Sequence, residues 1–178
     1  MSNNILLEKD FNKVIVTNIF SSLIQSEKWD MLVEMFKLSI LDINARDSNG
    51  KNALYWAINK NKIETIKELI SLNISSEISP NLSAMNYAVY LDNVKIIKCL
   101  KNCGLNIDEK DSINSTPLIN AILFNKQNSI KYLVENGADL EHEDFLGHTA
   151  TNLAYTLKIK IWLLILVVLI NFVAVYWF

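Results

Sequence analysis

The sequence predicts an all-α chain: a solenoid of about three full helical-hairpin repeats with capping half-repeats, followed by one transmembrane helix. Two observations carry this. Between Leu41 and Ala154 the chain resembles itself at intervals of about 33 residues, and such a period means stacked supersecondary units that bury their apolar faces on one another. From Ile161 to Phe178 there are then eighteen consecutive residues without a charge, a run close to the length that a bilayer demands.

The elements follow in chain order. Residues 1–46 read as N-terminal capping helices, ending in Val33, Phe36, Asp42, Ile43 and Asn44. Met1 to Phe11 has acidic residues, scattered Asn and no long apolar run, unlike a secretory signal. The first full unit, 47–77, carries Asp47, Gly50, Leu54, Ala57, Ile66 and Leu69. The second, 78–110, carries Met85, Ala88, Ile97, Leu100, Gly104, Asn106 and Ile107. The third, 111–143, carries Asp111, Thr116, Pro117, Leu118 and Ala121, then Ile130, Leu133, Gly137, Ala138, Asp139 and Leu140. A partial unit, 144–158, restarts the pattern with Asp144, Gly147, Thr149 and Ala154.

Held in one register, these residues resemble the ankyrin repeat, whose pattern runs D-x-x-G-x-T-P-L-H-x-A, an I-V-x-L-L helix and G-A-D-V-N. The resemblance covers roughly three-quarters of the chain, and it implies antiparallel helix pairs, β-hairpin fingers and a protein-binding role without catalysis. The pattern has physical reasons. Thr caps the first helix and Pro occupies its first turn, where no N–H is needed. Gly104 and Gly137 suit the left-handed end of the second helix. Departures also matter. The His of the family motif is replaced by Tyr55, Asn86, Ile119 and Asn152, so its hydrogen bonds between repeats are not assured. The first two units are 31 residues apart, with the loss in Asn73 to Ile78, so that finger is expected to be shortened or bent. Thr149 to Leu157 is expected to form a closing first helix.

The apolar run, with its flank at 159–178, reads as a membrane span. Eighteen helical residues reach about 27 Å, against about 30 Å of hydrocarbon. Lys158 and Lys160 flank its start, and Trp162, Tyr176 and Trp177 lie near the two ends, where interfacial aromatics belong. A buried final helix of a soluble fold would need neighbours on every face, which a small solenoid lacks. Asn171 is a tolerated polar residue or a hydrogen bond to another span. The basic flank puts the repeats on the cytoplasmic side, which predicts a single-pass, tail-anchored protein.

Composition excludes several function classes. Net charge is −2, and one arginine, Arg46, accompanies sixteen lysines, so no global field favours nucleic acid. Abundant Asn and Ile fit an AT-rich coding bias. Cys99 and Cys103 lie four apart on one helix face and form no disulfide framework, so they read as structural thiols in a reducing compartment. His142 and His148 have no ligand cluster around them. No phosphate loop, nucleophile elbow, HExxH or carboxylate pair is present, so neither cofactor nor enzyme activity is expected.

Candidate binding residues are those the ankyrin family leaves variable: the ends of the first helices and the finger tips. Here they are apolar. They comprise Tyr90 and Leu91, Leu123 and Phe124, and Ile113, Phe145 and Leu146, in contrast with Asn59 and Lys60 earlier. Exposed together they would form a partner-binding stripe, with Lys51, Asn59 and Lys60 as a polar edge; packed between degenerate repeats they would be core. Three functions stay open: a membrane-tethered protein–protein interaction adaptor, a regulatory subunit of a membrane transport or secretion complex, and a host-directed effector.

Overall fold

The computed structural model describes residues 2–157, with side chains from residue 14 onward. The chain divides after Ala84 into two compact units. The first holds α1 (Ser2–Gln25), α2 (Trp29–Lys37), α3 (Ala53–Asn59), α4 (Ile63–Ser71), and the short strands β1 (Glu77–Ser79) and β2 (Leu82–Ser83). The second holds α5 (Ala84–Tyr90), whose first residue closes the first unit, α6 (Val94–Asn102), α7 (Pro117–Leu123), α8 (Gln127–Glu135) and α9 (Ala150–Thr156).

The helix starts follow the capping logic of the sequence. The side chains of Asn52, Thr116 and Thr149 each accept the amide of the residue three positions on, and Thr149 with Asn152 completes a reciprocal capping box. Pro117 occupies the first turn of α7, where its missing N–H costs nothing. The second helices bury one stripe each, Ile66 and Leu69 on α4, Ile96, Ile97 and Leu100 on α6, Ile130 and Leu133 on α8, the three-to-four spacing of an amphipathic helix. In the first unit α1 packs on α2, α2 on α4, and α3 on α4; in the second α7 packs on α8 and α9, and α6 on α8.

Each helix from α1 to α8 ends in the same way. One residue turns left-handed: Glu27, Ser39, Asn61, Asn73, Asp92, Gly104, Asn125 and Gly137 in order. The next amide then reaches the carbonyl five residues earlier, as in Lys62 to Ala57 (2.9 Å), Asn93 to Ala88 (3.0 Å), Lys126 to Ala121 (2.8 Å) and Ala138 to Leu133 (3.0 Å). These closures satisfy carbonyls that the helix end leaves free. Gly104 and Gly137 take the role the sequence suggests, and asparagine fills it at three other helix ends, being among the few residues with side chains that tolerate it.

The finger expected to be shortened or bent is a small antiparallel hairpin, β1 with β2, and its register shifts between Glu77 and Ser79. It adds a short strand pair to an otherwise helical set of elements. Where the other fingers have Asp47, Asp111 and Asp144, this one has Ile78, which is fully buried. With no aspartate at that position, the backbone pairs with itself, the Glu77 carboxylate accepts the Asn81 amide at the tip at 3.3 Å, and the Ile78 carbonyl accepts the Asn52 amide at 3.0 Å.

Among the described residues no helix is long and apolar enough to cross a membrane. The span expected at 159–178, with its flanks Lys158, Lys160, Trp162, Tyr176 and Trp177, lies outside the described residues.

Candidate functional site

The first helices are seven residues long, and their length decides which side chains emerge. In α7, Leu118, Ile119, Ala121 and Ile122 are fully buried, whereas Leu123 and Phe124 lie beyond the last buried turn and are exposed. Tyr90 and Leu91 occupy the corresponding places at the end of α5 and are exposed as well. The left-handed residues Asp92 and Asn125 follow immediately, which turns the chain back and leaves these side chains at the rim. Tyr90 is 54 % exposed and Phe124 53 %. Their rings meet edge to face at 6.0 Å, Tyr87 stacks on Tyr90 at 6.5 Å, and the Lys126 ammonium lies 5.1 Å from the centre of the Tyr90 ring. The row is therefore an ordered aromatic surface.

The finger tips expose the remaining candidates by a different device. Asp111 Oδ1 accepts the amides of Ile113 and Ser115, and Asp144 Oδ1 accepts those of Leu146 and His148. Left-handed Asn114 and Gly147 complete the two tips, so Ile113, Phe145 and Leu146 point outward; Phe145 is 76 % exposed and Leu146 65 %. The tips are joined, because the Phe145 amide donates to the Ile113 carbonyl at 3.1 Å and Asn114 Nδ2 donates to the Glu143 carbonyl at 3.1 Å. Finger and helix are joined too, through Asn120 Nδ2 on α7 and Asp111 Oδ2 at 3.0 Å. All seven candidates thus belong to the second unit and all are exposed.

Several participants carried weaker signals. Leu157, after α9, is exposed and stands 33 residues beyond Phe124, as Phe124 stands 33 beyond Leu91, so the repeat register extends the row to it. Asn120 also donates to Asn86 Oδ1 at 3.2 Å, a bond between neighbouring repeats at one of the places where the family's His is missing. Asp92 reaches across to the start of α8: its Oδ1 accepts the Ser129 amide (2.8 Å) and hydroxyl (2.6 Å), and its Oδ2 accepts Asn128 Nδ2 (2.8 Å). Burial works against the ionised Asp92, but these bonds outweigh it and lower its pKa.

Lys51, Asn59 and Lys60, expected as a polar edge, belong to the first unit. Lys51 lies 4.3 Å from the Tyr55 ring centre, and Glu27 pairs with Lys60 (3.2 Å) and Lys62 (3.0 Å). Hydrogen bonds from Lys62 and then Lys60 lower the Glu27 pKa. A cleft of about 370 Å³ in this unit is lined by Ile24, Gln25, Asp47, Asn49, Trp56 and Lys60 among others. In its wall Trp56 Nε1 donates to Asp47 Oδ2 at 3.0 Å and Lys60 pairs with Glu27.

One cluster has the composition of a nucleophilic triad without its order. Ser115 Oγ donates to Asp144 Oδ2 at 2.6 Å, and His148 Nδ1 lies 3.2 Å from that same oxygen. The carboxylate stands in the middle, so no imidazole is placed to take the proton of the serine, which is fully buried. Desolvation opposes the Asp144 charge, but the bonds from Ser115, His148 and Leu146 prevail and hold its pKa at about 2. The cluster ties one finger to the next. His142 Nε2 lies 2.8 Å from the Asn114 carbonyl. Cys99 is buried and Cys103 half-buried. Among the described residues no group of three or more His, Cys, Asp or Glu could hold a metal ion.

Comparison with known proteins agrees with this architecture. Over 143 residues, 79 % of its length, the chain is 31 % identical to an ankyrin repeat protein of fowlpox virus, of which the match covers 25 %. It is 30 % identical over 110 residues, 60 % of the chain, to an ankyrin repeat protein of Acanthamoeba polyphaga mimivirus, covering 14 % of that protein. Over 101 residues, 56 % of the chain, it is 31 % identical to potassium channel AKT2/3 of Arabidopsis thaliana, covering 12 % of the channel. The chain therefore spans a quarter or less of these relatives. Residues 23–111 and 72–144 match the family described as ankyrin repeats, in three copies. With that match over more than half its length, set on capped helix pairs and aspartate-folded fingers, the chain belongs to the ankyrin repeat family.

Proposed function

We propose that this protein is a non-catalytic interaction module whose second unit receives a protein partner on Tyr90, Leu91, Leu123, Phe124, Ile113, Phe145 and Leu146. The supporting observation is that these large apolar side chains are exposed on backbone fixed by caps and finger bonds, two of them in ring contact. Rigid exposed aromatics at low entropy cost are what protein interfaces use as anchors. Replacing Leu123→Ser together with Phe124→Ser is expected to weaken partner capture by about tenfold or more while helical content stays. Loss of the fold instead would mean that these side chains hold the repeats together. Crosslinked pull-down from membranes with the full chain, against a version ending at Leu157, supplies the partner.

The tethering part of the proposal rests on the uncharged run 161–178 and its lysine and aromatic flanks. It puts the repeats on the cytoplasmic side, where they would be held close to the bilayer at raised effective concentration. The chain carries its own topology reporters. Asn73-Ile-Ser75, Asn81-Leu-Ser83 and Asn114-Ser-Thr116 are glycosylation acceptor sequences. Expressed with a eukaryotic secretory membrane system, these should stay unmodified; a mass loss on glycosidase treatment would refute the orientation.

Two further readings have a specific foothold. Asn171 within the apolar run suits a regulatory subunit of a membrane transport complex, which should fail when 161–178 is exchanged for an unrelated span, whereas a tethered adaptor should keep working. The viral relatives suit a host-directed effector, which detection of the protein outside its producing cell would favour.

A further inference from the structure

The apolar row of the second unit carries a cation without a carboxylate partner among the described residues, and the first unit shows how the equivalent cation is answered there. Lys62 and Lys126 stand at the same place in their repeats, each just after the left-handed asparagine, Asn61 or Asn125, that closes the first helix. Glu27 and Asp92 likewise stand at the left-handed position of the preceding repeat. In the first unit Glu27 bridges to Lys62 at 3.0 Å and to Lys60 at 3.2 Å. In the second the equivalent acid is diverted, since Asp92 gives both its oxygens to Ser129 and Asn128. Position 60, the other cation of that bridge, is Phe124 in the second unit. Asp111 and Asp144 are folded into their own finger tips.

Lys126 therefore lies over the Tyr90 ring, 5.1 Å from its centre, and among the described residues no carboxylate lies within ion-pair distance of it. A ring face holds an ammonium in place but leaves its charge unmatched. Resting on the docking reading above, we propose that the segment seated on this row is an acidic–apolar peptide stretch of the partner. Its apolar side chains cover Leu123 and Phe124, and an Asp or Glu carboxylate pairs with Lys126. Such a bond is charge-assisted and selects between partners more than it adds affinity.

The test is selection of random twelve-residue peptides displayed on phage against the full-length chain held in mild detergent. Peptides retained by the natural chain should combine aromatic or aliphatic residues with Asp or Glu, favoured over Lys or Arg by about fivefold, the discrimination an exposed ion pair supplies. Lys126→Glu should reverse that preference to Lys or Arg while the apolar residues stay. Lys126→Met, which keeps much of the stem over Tyr90, should abolish the preference without reversing it. Apolar peptides with no acidic bias, or an acidic bias unchanged in both variants, would overturn the inference and leave the docking surface standing. Peptides indifferent to the paired Leu123→Ser and Phe124→Ser replacement would overturn the docking surface itself.

Discussion

At the end of α3 the chain carries Asn59 and Lys60; at the end of α7 it carries Leu123 and Phe124. Both helices are seven residues long, both are capped through a side-chain oxygen, and both close on a left-handed asparagine. The backbone is thus the same device used twice. In the first unit its rim is finished by charges that answer each other through Glu27, and in the second by rings and aliphatic chains with one cation left over. The difference teaches that fold and surface are written at separate positions of the repeat. Buried places such as Ile58 and Ile122 keep their type between units, while the two residues just past them are free to change.

The sharpest way to test this separation is to alter the shared positions. Leu54→Ala and Leu118→Ala remove equivalent, fully buried side chains, and each should lower stability by about 2–5 kcal/mol. Urea unfolding followed by far-ultraviolet circular dichroism measures both, and a loss below about 1 kcal/mol at either would show that the two units do not share a core pattern. Next in size is Asp144→Asn. A carboxylate whose folded pKa lies at about 2, below its ordinary value near 4, contributes stability that is complete above about pH 4 and is lost as pH falls through about 2. The variant should be about 1–3 kcal/mol less stable at neutral pH and should show a flatter decline in acid. An unchanged acid profile would remove Asp144 from the account. The smallest effect is expected from Glu27→Gln. Its ion pairs are exposed to water, so thermal stability should hardly move, whereas the dependence of melting temperature on salt should weaken.

Much of the architecture was legible because it depends on local chemistry. The phase of the repeats, the caps at Thr116 and Thr149, and the turns at Gly104 and Gly137 each follow from what one residue type can do at one place. The seven apolar candidates could be named from register, but not their exposure. For Tyr90, Leu91, Leu123 and Phe124 that turns on α5 and α7 stopping at Tyr90 and Leu123 rather than one turn later, and for Ile113, Phe145 and Leu146 on tips folded by Asp111 and Asp144. Leu157 carried the same 33-residue signal as Phe124. The hairpin at Ile78 was less accessible, because a missing aspartate changes a finger from side-chain-folded to backbone-paired. The diverging roles of Glu27 and Asp92 were least legible of all: two acids at one repeat position choose different partners according to what the next repeat offers in space.

The helix-end closures reach only five residues back along the chain, and the bonds between neighbouring repeats span only about thirty to forty residues. Nothing of longer range is needed to make either kind of contact. Chains of this sort fold quickly, because little loop entropy is lost before contacts reward it. Refolding should therefore occur within milliseconds rather than seconds, and it can begin at any repeat whose neighbour is present. During synthesis, each hairpin can settle onto the one before it while the next is still being made.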